Sequence, residues 1–595
     1  MQNEPLVASI VSILLDAFQG DADHPQLESY RQALSAQVER FVRRQQPLQL
    51  LLPGFPLKSP NTRDKTASDR PDYAEYAALE QLDQLCRAVG RVYPAGCALE
   101  LFSDGLSFHD LLDIPRDTAN DYHRRLRALY ASPVLRWHDY ASVQPGFDRQ
   151  RDRAESVLRR YLPAAAADFS QPLPENQAGR LPQWLGLLRE DNAARGIAEA
   201  EDWPQRALRL AWRGIALDAM LAEHFPEAIR LTIHPSGSPG GKFPIRLSPA
   251  QAEAALPWHR VYLLNLAGRG ELVSKRQALD ARRAKAVSFD GQPWLYLEQT
   301  GAEWEGCELS VMLAGRFGLL IENRRPGANC LSLPRPALTR LAQLFGFVAL
   351  RGFAVEDEDN LIDFSAQFGT PYIWQFGAVH KVKPEEDADG FVHSFEELPL
   401  HWDLSMLPAD NEFVRKNPRF SASLFALYCK TAPQHGEGQT TLVDARNILR
   451  QVPTATLAEW ERLQIRYHTK FTYFGGDARV YPLVETHPDT GEAVLRFQEN
   501  SNSELQKFFV DVEERADDYP NLVQELLERA YAPENLIEHD WHDGDLVLID
   551  NYNSLHGRRA MTRASRGREL WRVQVHKGQE PVQRLASKGE IVNTF

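Results

Sequence analysis

From Leu6 to about Arg44, apolar residues recur at helical spacing and are interrupted at Gly20 and Pro25, so two helices are expected there. Leu48 to Pro53 is a short apolar run of the buried-strand type. It leaves through the stiff loop Gly54-Phe55-Pro56-Leu57-Lys58-Ser59-Pro60-Asn61. Tyr73 to Val92 keeps the helical period, with Leu79, Leu82 and Leu85 on one side, and Cys97 to Phe102 reads as a second strand ending in Ser103-Asp104-Gly105. Strand, helix, strand in this order predicts a parallel sheet with its loops gathered at one edge. Helical periods dominate the next stretch, over Tyr122 to Tyr130, Arg151 to Tyr161 and Ala207 to His224. Ile229 to His234 is a further strand, with Arg230, Thr232 and His234 on one face. A Gly/Pro/Ser loop carries the chain on to Lys242, and Pro257-Trp258-His259-Arg260 follows.

Far downstream, Trp541 to Asn551 reads as a turn, an apolar strand and a polar stop, which delivers His556 just beyond a strand end. Arg568 and Arg572 lie in register before the strand Val573-Gln574-Val575.

A chain of 595 residues exceeds what one hydrophobic core sustains, so two or three domains are expected. The net charge of −14 argues against nucleic acid or an anionic membrane as partner, because phosphate binding needs a basic footprint. Cys86, Cys97, Cys307, Cys330 and Cys429 are odd in number, scattered and without a Cys-x-x-Cys pair, the pattern of reduced thiols in a cytoplasmic protein. The run from Leu6 to Phe18 contains polar residues and has no basic lead, so it reads as an amphipathic helix and not a signal peptide. No apolar run reaches membrane-spanning length.

The candidate chemistry centres on His401-Trp402-Asp403. Residues two apart on a strand share a face, so this histidine and carboxylate project together. Taken alone, the pair also suits a surface strand with a satisfied histidine. A second histidine from elsewhere, such as His556, would complete two imidazoles and one carboxylate, leaving half of an octahedral Fe(II) open. The planar, permanently charged forks of Arg568 and Arg572 suit a dicarboxylate. In the first half, Lys58, Ser59 and Asn61 share a loop after a strand. His234 alone suits a structural histidine, but a cation, an imidazole and another cation around the Gly-rich loop (Arg230, His234, Lys242) favour a phosphate or carboxylate pocket.

From about the middle of the chain onward the sequence resembles the taurine-dioxygenase-like Fe(II)/2-oxoglutarate oxygenases. The resemblance implies a double-stranded β-helix (jelly roll), iron ligation by His401, Asp403 and His556, and 2-oxoglutarate binding by Arg568, with Arg572 facing the substrate or the other carboxylate. Gly438-Gln439-Thr440-Thr441 matches the family's glycine-threonine run and nominates Thr440 as a further 2-oxoglutarate contact. The run departs from the family at Glu437, often a second glycine. Related halogenases replace the carboxylate ligand with a small residue, so Asp403 disfavours halogenation.

Residues up to about 300 resemble the isocyanide (isonitrile) synthases of the pyoverdine-chromophore and paerucumarin type. This likeness rests on Leu52 to Asn61, Phe102 to Gly105 with Phe108 and Asp110, Arg230 to His234, and Pro257-Trp258-His259. It implies an α/β Rossmann-like domain with a helical insertion that joins an L-amino acid to ribulose 5-phosphate and turns the amino nitrogen into an isocyanide, without metal or nucleotide. Lys58, Arg230 and Lys242 are then the phosphate-clamp candidates, and Asp104, His234 and His259 the acid/base candidates. The second half is also similar to the partner oxygenase of those pathways, through Arg316 to Glu322 with Arg325-Pro326-Gly327 and through Trp374 to Val379. The two appear fused, with domains 1–305 and 306–595 and no long flexible linker between them, so the domains are expected to pack together. The expected function is isocyanide formation on an amino acid, followed by oxidation of the isocyano acid with Fe(II), 2-oxoglutarate and O2, by desaturation or hydroxylation. The competing expectations are a hydroxylase of another small molecule carrying an inactive N-terminal scaffold, and an iron-sensing or ligand-binding protein.

Overall fold

A computed structural model describes residues 4–20, 24–164, 166–234, 241–248, 255–265, 267–280, 284–299, 301, 304–374, 376–388, 390–405, 422–469 and 480–578. In the N-terminal half, β1 (Leu48–Pro53), β2 (Cys97–Phe102), β3 (Leu135–His138), β4 (Ile229–Thr232) and β5 (Phe243–Pro244) form one parallel sheet in the order β3-β2-β1-β4-β5. The runs are apolar throughout because both faces are covered. Leu48, Leu50 and Leu52 enter one core with the helices Glu4–Asp16, Leu27–Arg44 and Tyr73–Val92, while Leu51 and Phe102 enter another with the helix Trp203–His224. Helix Tyr73–Val92 starts at a capping box: Asp72 accepts from the backbone, and the Glu75 side chain reaches back to the Asp72 N–H.

Strand order reverses between β1 and β4, and such a switch opens a crevice at the carboxyl ends of the strands. Lys58 follows β1 there and His234 follows β4. Elsewhere the pattern misled in detail. The expected helix Arg151 to Tyr161 is a single turn, Ala154–Leu158, followed by a 3-10 turn. Helix Arg180–Ala194 had no legible period, interrupted as it is by Pro182 and Gly186. Strand β3 is only four residues long, with Leu135 alone fully buried.

Strands β6 (Val261–Leu264), β7 (Gly270–Val273), β8 (Ala284–Phe289) and β9 (Gln292–Glu298) leave the parallel sheet and join the C-terminal half. The link is β8 against β10 (Cys307–Leu313), parallel at Val287↔Leu309 and Ser288↔Ser310. Then come β11 (Phe317–Asn323), β12 (Phe347–Arg351), β13 (Thr370–Pro371), β14 (His380–Val382), β15 (Leu398–His401), β16 (Leu424–Thr431) and β17 (Thr440–Asp444). Satellite strands follow: β18 (Gln464–Thr469), β19 (Val480–Pro482), β20 (Val484–Thr486), β21 (Ala493–Leu495), β22 (Ser501–Ser503) and β23 (Gln506–Val512). The last four are β24 (Leu536–His539), β25 (Leu546–Asp550), β26 (Ser554–Arg558) and β27 (Glu569–His576).

Two sheets make the jelly roll. The larger runs β13-β27-β16-β25-β12-β11-β10 and continues through β8-β9-β6-β7, while the smaller is β15-β26-β17-β24. Phe347, Phe425, Val547 and Ile549 from the large sheet meet Leu442 and Ile537 from the small one in the core between them. The halves also touch through helix Tyr73–Val92, where Arg87 Nη1 donates to the Val452 carbonyl at 2.5 Å and Nη2 to that of Arg450. No helix among the described residues is long and apolar enough to cross a membrane.

Candidate metal centre and basic crevice

His401 ends β15, and its direct partner across the antiparallel pair is His556 in the middle of β26. This corrects two expectations: His556 lies within a strand of its own, not just beyond a strand end, and Asp403 lies past the end of β15. The turn is sharp enough to put Leu404 at φ 65°. The side chains still converge. One ligand atom from each of His401, Asp403 and His556 lies within 4.8 Å of the others, and Asp403 Oδ1 is 3.7 Å from His401 Nε2 and 3.5 Å from His556 Nε2.

His401 and Asp403 are held for that task. His401 Nδ1 lies 2.8 Å from the Pro399 carbonyl, so it carries the proton and leaves Nε2 as a lone-pair donor. Gln574 Nε2 donates to Asp403 Oδ2 at 2.5 Å, which turns Oδ1 toward the imidazoles. The Asn551 side chain clasps the Asp403 backbone, accepting from its N–H at 2.8 Å and donating to its carbonyl at 3.1 Å. Burial would raise the Asp403 pKa, but the Arg572 guanidinium, 3.6 Å away, and the two imidazoles hold it well below the usual carboxylate range. Burial, and then the neighbouring His401, bring His556 down to about 4, so its ring is neutral at physiological pH. Two imidazoles and an ionised carboxylate, with space between their donor atoms, are a donor set fitted to one divalent cation.

Arg558, two residues along β26 from His556, and Arg568 form a separate, positively charged cluster. Arg568 is 3% exposed, and its Nε and Nη1 have no hydrogen-bond partner among the described residues. Burial, and then the charge of Arg558, pull its pKa to about 9. Arg558 itself is lowered to about 10 by burial and donates only to carbonyls, those of Phe391, Val392, Ser394 and Glu396. Thr440 is the cross-strand neighbour of Arg558, and its Oγ1 accepts from Trp541 Nε1 at 3.0 Å, leaving its own proton to give. Close approach here requires glycine at 438, which has φ +58° and where a Cβ would meet Met561 at 2.6 Å. Glu437 anchors the loop that leads to Arg568, accepting from Ser565 Oγ at 2.6 Å and Thr562 Oγ1 at 2.8 Å. A buried, acid-free guanidinium with idle donors fits a carboxylate ligand.

Arg572, on β27, donates Nη2 to His380 Nδ1 at 3.1 Å. His380 is held neutral by burial, by Arg572 and by His393, with a pKa of about 3. Gln574, Asn551, Arg558 and His380 all escaped sequence reasoning, since each is defined by a partner distant along the chain.

The N-terminal crevice is more mixed. His234 follows β4 and His259 ends a 3-10 turn. Burial lowers His234, assisted by Arg180 and Lys242; burial lowers His259 further, assisted by Lys65, Arg260, His234 and Lys58. These charges therefore share one basic neighbourhood. Arg230 and Lys242 meet there on Asp218, Arg230 Nη2 at 2.9 Å from Oδ1 and Lys242 bound to both carboxylate oxygens. One acid between two cations leaves a net positive charge. The Gly/Pro/Ser loop over 235–240 lies outside the described residues.

Lys58 and Asp104 have other settings than expected. Lys58 faces no open space: its Nζ is 2.7 and 2.9 Å from the Glu75 oxygens, 3.0 Å from Asp72 and 3.3 Å from the Pro257 carbonyl. It is buried under the crevice, bracing the turn that carries His259. Both Asp104 oxygens are engaged, by Arg149 at 2.7 Å and the N–H groups of Leu106 and Tyr140. Sequence reasoning missed Lys65, Arg180 and Arg260, and also Asp191, which accepts from Ser59 Oγ at 3.0 Å and Lys65 Nζ at 2.6 Å.

With this geometry in view, the chain matches two families. Residues 38–162 and 188–287 match the pyoverdine/dityrosine biosynthesis proteins, and residues 321–574 match the taurine catabolism dioxygenase TauD, TfdA family. Isocyanide synthase xanB of Aspergillus fumigatus is 26% identical over 90% of this chain and 76% of its own length. Isocyanide synthase A of the same organism is 25% identical over 96% of this chain and 98% of its own. Tyrosine isonitrile desaturase of Pseudomonas aeruginosa is 31% identical over 44% of this chain and 88% of its own. Fe(II) and 2-oxoglutarate are the cofactors of the C-terminal type, consistent with the donor set described above. Two families in this order, and relatives that align across both, make the chain a member of the fused isocyanide synthases, in which a pyoverdine/dityrosine biosynthesis domain precedes a TauD/TfdA-type oxygenase domain.

Proposed function

We propose that the N-terminal half converts the amino group of an L-amino acid to an isocyanide with ribulose 5-phosphate, and that the C-terminal half oxidises the isocyano acid. The observation that carries the oxidative step is the convergence of His401, Asp403 and His556, with an Arg568 guanidinium near Arg558 of the His556 strand that has no acid partner among the described residues. In this reading the three side chains hold Fe(II), while Arg568 and Thr440 take the distal carboxylate of 2-oxoglutarate. When bound, the pair supplies a two-electron oxidation of a C–H bond by O2. Arg572 holds the substrate carboxylate, with His380 fixing its direction. Gln574 keeps Asp403 Oδ2 occupied so that only Oδ1 serves as ligand.

In the N-terminal half, the net positive charge of Arg230 and Lys242 over Asp218, together with Arg180, receives the sugar phosphate. Neutral His234 and His259 can each accept a proton during enolisation, because burial and surrounding cations keep them unprotonated. Lys58 works from beneath as a brace, and Asp104 as a helix cap. The parallel strand order supports reading this half as Rossmann-like, with the helical stretch between β3 and β4 as its insertion, and the domains as 1–305 and 306–595. Five free, buried cysteines support a reducing, cytoplasmic setting.

The test is incubation of the whole protein with amino acids and ribulose 5-phosphate, with and without Fe(II) and 2-oxoglutarate, following products by mass. The proposal expects an isocyano acid without 2-oxoglutarate and an oxidised product with it. Absence of any isocyano acid would refute the N-terminal assignment.

A further inference from the structure

Arg496 follows β21, far along the chain from the ligands, and is 1% exposed. Its guanidinium carbon lies 3.8 Å from the Trp402 ring centroid and 4.6 Å from that of Tyr552. Nη1 donates to the Asn551 carbonyl at 2.6 Å, and Nε is 3.0 Å from Glu485 Oε2. Trp402 is the residue between His401 and Asp403. Asn551 is the residue whose side chain grips the Asp403 backbone on both sides, and it leads through Tyr552 into the strand of His556. One buried cation is thus fastened at once to both segments that carry the ligands.

We infer that Arg496 is a positioning residue for the metal centre, setting the separation of the His401/Asp403 turn from the His556 strand through Trp402 and Asn551. The inference rests on the reading that His401, Asp403 and His556 bind the metal. Its physical ground is the flat guanidinium, which can lie against two rings while donating to a carbonyl on one edge and ion-pairing with a carboxylate on another. An ammonium cannot do this. Partners that hold metal ligands directly typically change affinity 10- to 100-fold, and Arg496 acts one layer further out, on the Trp402 and Asn551 that carry and grip the ligand turn, so the lower end of that range applies.

The experiment is Co(II) titration of the full chain by absorption spectroscopy, on the parent, Arg496→Lys, Arg496→Gln and Glu485→Gln, with thermal unfolding of the metal-free proteins alongside. Folded Arg496→Lys and Arg496→Gln are expected to bind Co(II) about tenfold more weakly or worse, with an altered Co(II) spectrum. The Glu485 side chain is 31% exposed, so Glu485→Gln loosens the guanidinium without opening the core, and a measurable weakening of about threefold or more is expected. A purely structural role would lower the unfolding midpoint while leaving affinity and spectrum alone. Affinity within twofold of the parent, in a folded Arg496 variant or in Glu485→Gln, would overturn the inference. A parent that binds no Co(II) would instead overturn the metal-site reading itself.

Discussion

His401 and His556 face each other directly across an antiparallel strand pair, their ring centroids 4.3 Å apart. Cross-strand partners stand at the separation two ligands of one ion need, so the register of β15 on β26 does for two imidazoles what no local motif could. Asp403 completes the set from the turn. The site is therefore as rigid as the small sheet that bears it.

His401→Ala removes one of these partners without touching the N-terminal crevice. Isocyano acid should continue to accumulate from amino acid and ribulose 5-phosphate, while 2-oxoglutarate-dependent product falls at least 100-fold, as read by mass. Absence of isocyano acid from parent and variant alike, with no chemistry left in the variant, would point instead to a hydroxylase with an inert N-terminal half.

Arg568→Met should act in opposite directions on binding and stability. Losing a charge-assisted contact worth about 1.5–3 kcal/mol should raise the 2-oxoglutarate KM roughly 10- to 100-fold. Deleting a buried cation that has no acid partner among the described residues should leave the unfolding midpoint of the ligand-free protein unchanged or higher. Calorimetry of the two ligand-free proteins and steady-state kinetics together check this.

Lys58 and Lys242 should separate a brace from a clamp. Lys58→Met leaves the buried acids Asp72 and Glu75, which share one proton-holding cluster, without their cation, and breaking such a set costs about 3–5 kcal/mol, visible as a lowered denaturation midpoint. Lys242→Met leaves Asp218 paired to Arg230, so stability should hold while the ribulose 5-phosphate KM rises. The reverse ranking would restore Lys58 as an anion contact.

Glu75 predicts a pH slope. Burial raises its pKa from the ordinary 4.5 to about 8, despite Lys58 beside it. The folded state thus holds a proton that the unfolded chain has released between those values. Its contribution is complete below about pH 4.5 and is lost as pH rises through about 8, so stability should decline over that window. Glu75→Gln should flatten the decline in denaturant titrations run from pH 5 to 9. An identical slope in the variant would exclude Glu75 as its source.

What the sequence made legible was chemistry with a local signature. His-x-Asp, the apolar run before His556 and the paired arginines each announce themselves within a few residues, and the strands then assemble them. What stayed hidden was chemistry defined by a distant partner. Nothing around Lys58 reveals that Asp72 and Glu75 enclose it, nor around Arg230 that Asp218 holds both it and Lys242. Gln574 and Asn551 look like ordinary strand and turn residues until the fold sets them against Asp403. Strand β3 and helix Arg180–Ala194 were invisible for a simpler reason: four residues, or an apolar pattern interrupted by proline and glycine, carry too little period to read.

The pairing of β8 on β10 gives the fusion a mechanical meaning. Strands β6 to β9, which follow the crevice residue His259, are hydrogen-bonded into the large sheet of the C-terminal half, so the junction is a shared sheet and not a tether, while the parallel sheet of the crevice stays a separate one. Cutting the polypeptide between β8 and β10 would uncover two unsatisfied edges, each inviting a foreign chain to dock, so either piece prepared alone starts with a tendency to aggregate that the intact polypeptide suppresses in itself.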